Sequence, residues 1–278
     1  MFGFLLVGVS AVFDELSSTI GKKEVRDKVA SYYTFGFLNL LFGAVFILAT
    51  GIVRDDFIFN VASLPTFLVR VFLEVVQADV SVRAIMKADR SDFSVIRMIT
   101  VPLLLAVDIM LGYQVTTLQI MGITLIIASI VLLSYSEHFK TKGLGLIVVS
   151  AVNAVFTISL YKYDVSHFNS VEAEQGIICL VLLLYFYICA LYEKREDPIR
   201  FLLNPAFFLQ TCASGLSAVT AAFAILFAPA SIITAALRAS SVLFAMISGR
   251  FYFKERKFAF KVAIFFVIAA GLLCLIPR

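Results

Sequence analysis

Four basic side chains (Arg70, Arg83, Arg97, Arg238) and five acidic ones (Asp14, Glu15, Glu74, Asp79, Asp108) stand inside otherwise apolar stretches of this sequence. At the centre of an isolated membrane helix each would cost at least about 2.5–3.5 kcal/mol, so each must face protein or water and find a partner. Arginine offers a planar fork of donors that suits a carboxylate or a phosphate, and a buried carboxylate can take up and release a proton. The chemistry implied is recognition and movement of a small charged solute. Signatures of bond-making chemistry are missing: the chain has no HExxH, no GxSxG, no phosphate-binding glycine loop and no CxxC. His138 and His167 fall in connections, and Tyr163-Asp164 lies in a predicted connection without the GxGD partner of an intramembrane aspartyl protease. Cys179, Cys189, Cys212 and Cys274 are scattered through apolar runs without metal spacing and read as reduced thiols. No enzymatic activity, cofactor, metal or nucleic-acid partner is expected.

Spacing sorts these residues further. Arg70, Glu74, Gln77 and Ser81 follow steps of four, three and four, one stripe on a helix, while Asp79 and Arg83 make an i,i+4 structural ion pair on another face. Glu74 lies at least ten residues from either end of its segment, deep enough to line a cavity. Ser10, Asp14 and Ser17 share a face beside Glu15. Two readings stand for these acids: a buried, paired site for a coupling proton, or a helix that breaks after Phe13 and leaves both in interfacial water. Arg97 and Arg238 likewise read either as anchors for an anionic or zwitterionic substrate or as side chains that snorkel to headgroups or pair with Glu74 or Asp79. Gln77 and Asn153 are the neutral groups suited to orienting a bound solute. Asp108, near the end of its segment, reads as interfacial. Ser214, Ala218 and Ala222, with Ser217 and Ala221, have the small-xxx-small spacing of close helix packing, as do Ala235 and Ala239.

Composition dictates what must hold these groups. Of 278 residues 61% are hydrophobic and 15% charged, and Phe alone occurs 28 times; mean hydropathy is +0.99. A water-soluble surface cannot be assembled from so few charges. About 20 apolar residues are needed per membrane helix. Charge clusters and Pro or Gly divide the chain into ten such segments: 3–20, 31–52, 64–86, 92–111, 116–135, 143–161, 171–192, 202–227, 231–252 and 258–276. The alternating ten-residue runs of a barrel are absent, so an all-α membrane protein of ten transmembrane helices is predicted. The first run has no basic region before it and no cleavage site after it, and is read as a span.

The sequence also repeats. Shifted by 140, Gly3–Val12 lies over Gly143–Val152, matching at Gly3/Gly143, Leu6/Leu146 and the terminal Val-Ser-Ala-Val. Gly36/Gly176, Leu40/Leu180, Pro65/Pro205, Ala78/Ala218 and Ala84/Ala224 keep this offset, and one insertion later Arg97 pairs with Arg238. Two five-helix units follow, 1–138 and 139–278. Five is odd, so the second unit must insert inverted. In the first unit, connections 1/2 and 3/4 hold six basic residues (Lys22, Lys23, Arg26, Lys28, Lys87, Arg90) against one, Arg54, in the others; in the second unit the bias reverses, one (Lys162) against eight (Lys194, Arg195, Arg200, Arg250, Lys254, Arg256, Lys257, Lys261). With Lys140 and Lys142, one side of the membrane carries sixteen basic residues and the other three. The rich side is cytoplasmic by the positive-inside rule, which puts both termini outside.

Pro102, followed by Leu111, Gly112, Thr116, Gln119 and Gly122, resembles the end of an EamA domain, and Tyr252–Lys257 with Glu255, then Gly271, resembles it more loosely. Two such units resemble the drug/metabolite transporter superfamily over essentially the whole chain. The sequence departs from that pattern where Tyr113 replaces a Glu and where Leu243 and Ile264 replace Pro and Gly; the family's cytoplasmic termini also run against the charge count. The resemblance implies a secondary carrier working by alternating access in the plasma membrane (the inner membrane in a bacterium), as a monomer or homodimer. Helices 1, 3, 4, 6, 8 and 9 would line its cavity. The other class open at this level is a non-transporting membrane receptor or assembly factor. The charge count makes a direct prediction: alkaline phosphatase fused after Arg278 is active, and a fluorescent protein at the same place is dark. The opposite pair of results would put the termini in the cytoplasm.

Overall fold

In the computed structural model, residues 2–88, 90–110, 116–135, 143–227, 230–252 and 258–275 are described. Leu111, Gly112, Tyr113, His138, Lys140, Lys142, Lys254–Lys257 and Arg278 lie outside them, as do the side chains of Asp108, Gln119, Ala235 and Lys261. The described residues are almost all helical and include no strand. In chain order the helices are α1 Phe2–Arg26, α2 Tyr32–Arg54, α3 Leu64–Lys87, α4 Arg90–Ile96, α5 Thr100–Met110, α6 Thr117–Tyr135, α7 Leu144–His167, α8 Val171–Cys189, α9 Pro205–Ala224, α10 Ala230–Phe251 and α11 Phe258–Leu275.

Local chemistry sets many of the ends. Ser31 and Ser170 cap α2 and α8 by accepting from the N–H groups of Thr34 and Ala173. Pro65 and Pro205 open α3 and α9, where a missing N–H is harmless. Among the described residues five helices, α2, α3, α7, α8 and α9 with their flanking turns, are long and apolar enough to cross a bilayer. Large apolar side chains such as Phe72, Leu184 and Phe266 remain well exposed, a surface that suits lipid. The chain is a multi-pass helical membrane protein.

Three boundaries differ from the sequence reading. The predicted span 92–111 is two helices joined by a 3-10 turn, Arg97–Ile99. Pro102 cannot donate to the carbonyl four residues back, and the Thr100 hydroxyl donates to the Arg97 carbonyl at 2.8 Å, so the ladder is interrupted beside Arg97. Helix α1 does not break after Phe13; it continues through its basic cluster to Arg26. Helix α7 runs past its predicted end at 161, because Ser150, Ala154, Thr157, Tyr161 and Asp164 form one buried stripe at steps of four and three. Asp164 is therefore a buried helical residue and not a loop residue.

Helix pairs meet through small residues. Ser10 on α1 donates to the Ser217 carbonyl of α9 at 3.0 Å, and Ser150 on α7 lies 3.0 Å from Gln77 and 2.7 Å from Ser81 of α3. Helix α2 packs on both α8 and α9: Gly36 lies under Phe186, Gly176 under Leu48, and Gly215 against Phe42 and the Gly43 backbone. Gly271 of α11 approaches the Gly122 carbonyl of α6. The largest apolar cores are centred on Phe35, Leu38, Phe186 and Phe207 and on Val95, Met98, Ile126 and Ile268.

A Cβ on Gly215 would meet the Phe42 carbonyl carbon at 2.9 Å and the Gly43 nitrogen at 3.0 Å, backbone atoms that cannot swing aside. Overpacking of this kind costs about 1–3 kcal/mol, more than the roughly 1 kcal/mol of helix propensity gained. Gly215→Ala should therefore lower the melting temperature in detergent, whereas Gly8→Ala, with open space around it, should leave it unchanged or raise it.

Candidate functional site

A cavity lies among α1, α2, α3, α7, α8, α9, α10 and the α4–α5 break, in two lobes of about 260 and 330 Å³. Asp14, Glu74, Arg97, Gln175, Arg238 and Ser241 line both lobes and so mark where they meet. The smaller lobe continues past Asn39, Gln77, Ser81 and Ser94, toward the basic-rich ends of α1, α3 and α10. The larger continues past Ser10, Arg70, Thr157, Tyr161 and Thr234 toward the opposite side.

Arg97 reaches the junction because the helix is interrupted at its own position, and its guanidinium lies 5.2 Å from the Phe93 ring centroid. Arg238 comes from the continuous helix α10, and its Nε is buried without a hydrogen-bond partner among the described residues. Asp14 supplies the nearby negative charge acting on Arg238. Two guanidinium groups and two carboxylates thus share the junction. Such a set can clasp a carboxylate or phosphate between the arginines and an ammonium between the acids.

The α3 stripe forms as expected. Glu74 lines the cavity and receives a 3.4 Å hydrogen bond from Arg70, and Gln77 donates to Ser81 at 3.1 Å. Asp79 and Arg83 pair at 2.9 Å, with Arg83 over the Tyr32 and Tyr33 rings and Tyr185 donating to Asp79. Asn153 is one layer behind the cavity: its amide donates to the Leu73 carbonyl at 2.8 Å and to Gln77 Oε1 at 3.1 Å, so it positions Gln77. Asp14 and Glu15, about 100° apart on the helix, part company. Asp14 lines the cavity, while Glu15 is buried against α10, receiving hydrogen bonds from Thr19 and Ser248.

Sequence reasoning passed over Glu174, Gln175, Tyr161 and Ser241. Arg70 is 1% exposed and is held by Glu174 at 2.6 Å and Gln175 at 2.8 Å, with its guanidinium 4.6 Å from the Tyr161 ring centroid. Glu174 stands in the first turn of α8, where an acid already has a reason to be in the favourable field of a helix N-terminus. Its signal in the sequence was the consecutive polar pair Glu174-Gln175 beside an apolar run.

No family model matches the chain, and no curated protein matches it. Twenty-four chains of known structure are similar to it. One of them, described only as "Crystal structure of protein", superposes with a TM-score of 0.69 at 14% identity, over 98% of this chain and 96% of that one. The likeness extends to the fold.

Removing one partner of a buried ion pair leaves an uncompensated charge, at a cost of about 3–5 kcal/mol. Arg70→Met should therefore sharply reduce the yield of folded protein or its melting temperature, and adding Glu174→Gln should restore much of the loss. Equal stability of the single and double variants would show that the two side chains are not coupled.

Proposed function

We propose that this protein is a secondary membrane transporter, working by alternating access, for a small anionic or zwitterionic metabolite. The observation that carries the reading is the convergence of Arg97 and Arg238, 141 positions apart in the chain, on the junction of two cavity lobes. The lobe volumes of about 260 and 330 Å³ suit a metabolite and not a polymer. Arg97 and Arg238 anchor the acidic group of the solute; Glu74 and Asp14 take a cationic group, which favours the zwitterion; Gln77, backed by Asn153, orients it. The broken helix at Arg97 supports the reading, since interrupted spans commonly line carrier sites.

The architecture proposed is ten spans in two inverted five-helix units, 1–138 and 139–278, resembling the drug/metabolite transporter superfamily. Equivalent contacts support it. Ser10 and Ser150 are repeat mates at offset 140, as are Ser217 and Gln77, and the pairs in contact are Ser10 with Ser217 and Ser150 with Gln77. The repeat mates Gly36 and Gly176 both lie at the packing of α2 on α8. Two halves built alike around a central site can exchange conformations, the physical basis of exposing that site to one side and then the other.

Purified protein in liposomes, tested by counterflow against amino acids, carboxylates and phosphorylated metabolites, should accumulate at least one of them. Charge-assisted hydrogen bonds contribute about 1.5–3 kcal/mol, equivalent to about ten- to a hundredfold in affinity. Arg97→Ala and Arg238→Ala should each raise KM by that order and the double variant should abolish uptake. Wild-type kinetics in the double variant would remove the anchor role, and no counterflow with any solute class would favour a receptor or assembly factor.

A further inference from the structure

Beyond the larger lobe lies a cluster of acids with too few cations. Asp164 of α7 is fully buried. Its Oδ1 accepts from the Thr66 hydroxyl of α3 at 2.6 Å, but its Oδ2 is buried with no hydrogen-bond partner among the described residues. Glu174 of α8, also fully buried, accepts from Arg70 on one oxygen and from the Asn169 amide on the other, both at 2.6 Å. The same Arg70 is the ion-pair partner of Glu74 at 3.4 Å. Glu74 and Glu174 therefore share one guanidinium, and Asp164, whose charge acts on Glu174, is paired with no cation among the described residues. Among the described residues at this end, Arg54 pairs with Glu172 and Asp56, Lys162 of α7 has a partner of its own, and the exposed His167 ring turns to the Tyr163 carbonyl.

An ionised carboxylate without a partner in such a place is far more costly than a neutral one. We propose that the Asp164–Glu174 pair is the site of a bound, exchangeable proton, and that Arg70 reports its occupancy to Glu74 in the cavity. This rests on the transporter reading and moves the coupling proton away from Asp14 and Glu15. With the pair deprotonated, Glu174 holds Arg70, and Glu74 is available to a cationic group of the solute. When the proton of the pair resides on Glu174 and neutralises it, Glu174 loosens its hold, and Arg70 turns to Glu74 and occupies it. Proton and solute then exclude each other, which makes the carrier a proton–solute exchanger; by linkage each weakens the other's binding by the same factor.

The test reads the proton itself. Infrared difference spectroscopy on the purified full-length protein should show the carbonyl stretch of a buried, protonated carboxylic acid that titrates with pH and moves on exchange into heavy water. Asp164→Asn should abolish or shift this band, Glu174→Gln should shift it, Thr66→Val should move it upward through loss of the donor to Oδ1, and Asp79→Asn, outside the cluster, should leave it alone. A wild-type spectrum without such a band at any pH where the protein stays folded overturns the proposal, and needs no variant to fold. A band unchanged in Asp164→Asn, or one that answers to sodium and not to pH, overturns it equally. In liposomes a pH gradient should drive uptake by the wild type and lose that effect in Glu174→Gln. A clear band with no transport of any solute would instead count against the transporter reading alone.

Discussion

Charge inside a low-dielectric slab is the constraint on which the rest of this structure depends. A guanidinium that is 1% exposed needs acceptors, and the two terminal nitrogens of Arg70 find them in Glu174, Gln175 and Glu74, beside the face of Tyr161, while its Nε has no hydrogen-bond partner among the described residues. Those partners come from α3, α7 and α8, so one side chain dictates how three helices approach. The close Gln77, Ser81 and Ser150 contacts extend the same α3–α7 seam, and Thr66 and Asp164 finish it at the other end. Loss of this pairing would expose a charge that neither lipid nor apolar side chains can accept.

The same constraint separates charges enclosed among protein partners from charges that line the cavity. Asp79 and Arg83 are half-buried, paired with each other and surrounded by the hydroxyls and rings of Tyr32, Tyr33 and Tyr185. That cluster is self-sufficient. At the cavity junction two arginines and two acids line open volume, and the buried Nε of Arg238 has no acceptor among the described residues. Polar groups that a fold leaves facing a cavity are suited to a ligand. Glu74 belongs to both worlds, because it lines the cavity and shares Arg70 with the buried network behind it.

Small residues provide the complementary economy of the fold. Without a hydrophobic driving force between helices in lipid, association depends on close van der Waals contact and interhelical hydrogen bonds. Gly215 against Phe42 and Gly43, Gly271 against Gly122, and Ser10 against Ser217 supply both. They bring α2, α9 and α1, and separately α6 and α11, together at distances that larger side chains forbid. The lobes persist beside these contacts, lined on the same helices by Ser10, Ala218 and Ala221.

Much of this was legible in the sequence, for a physical reason: the bilayer sets both the length of an apolar run and the cost of a charge within it. The helical segments, the α3 stripe of Arg70, Glu74, Gln77 and Ser81 and the Asp79–Arg83 pair follow from one-dimensional spacing combined with that cost, whereas spacing left Asp14, Arg97 and Arg238 between a cavity and the interface until the packed helices placed them on the cavity. What one dimension cannot carry is the identity of a partner a hundred residues away. Glu174 and Asp164 sit near helix ends, where an acid looks interfacial until α3 is seen packed across them. Asn153 and Glu15, polar groups on cavity-lining helices, turn out to face Gln77 and Ser248. The sequence by itself determined how many charges must be buried and on which helices; only the tertiary structure decided which of them satisfy one another and which line the cavity, because pairing is a matter of distance across helices.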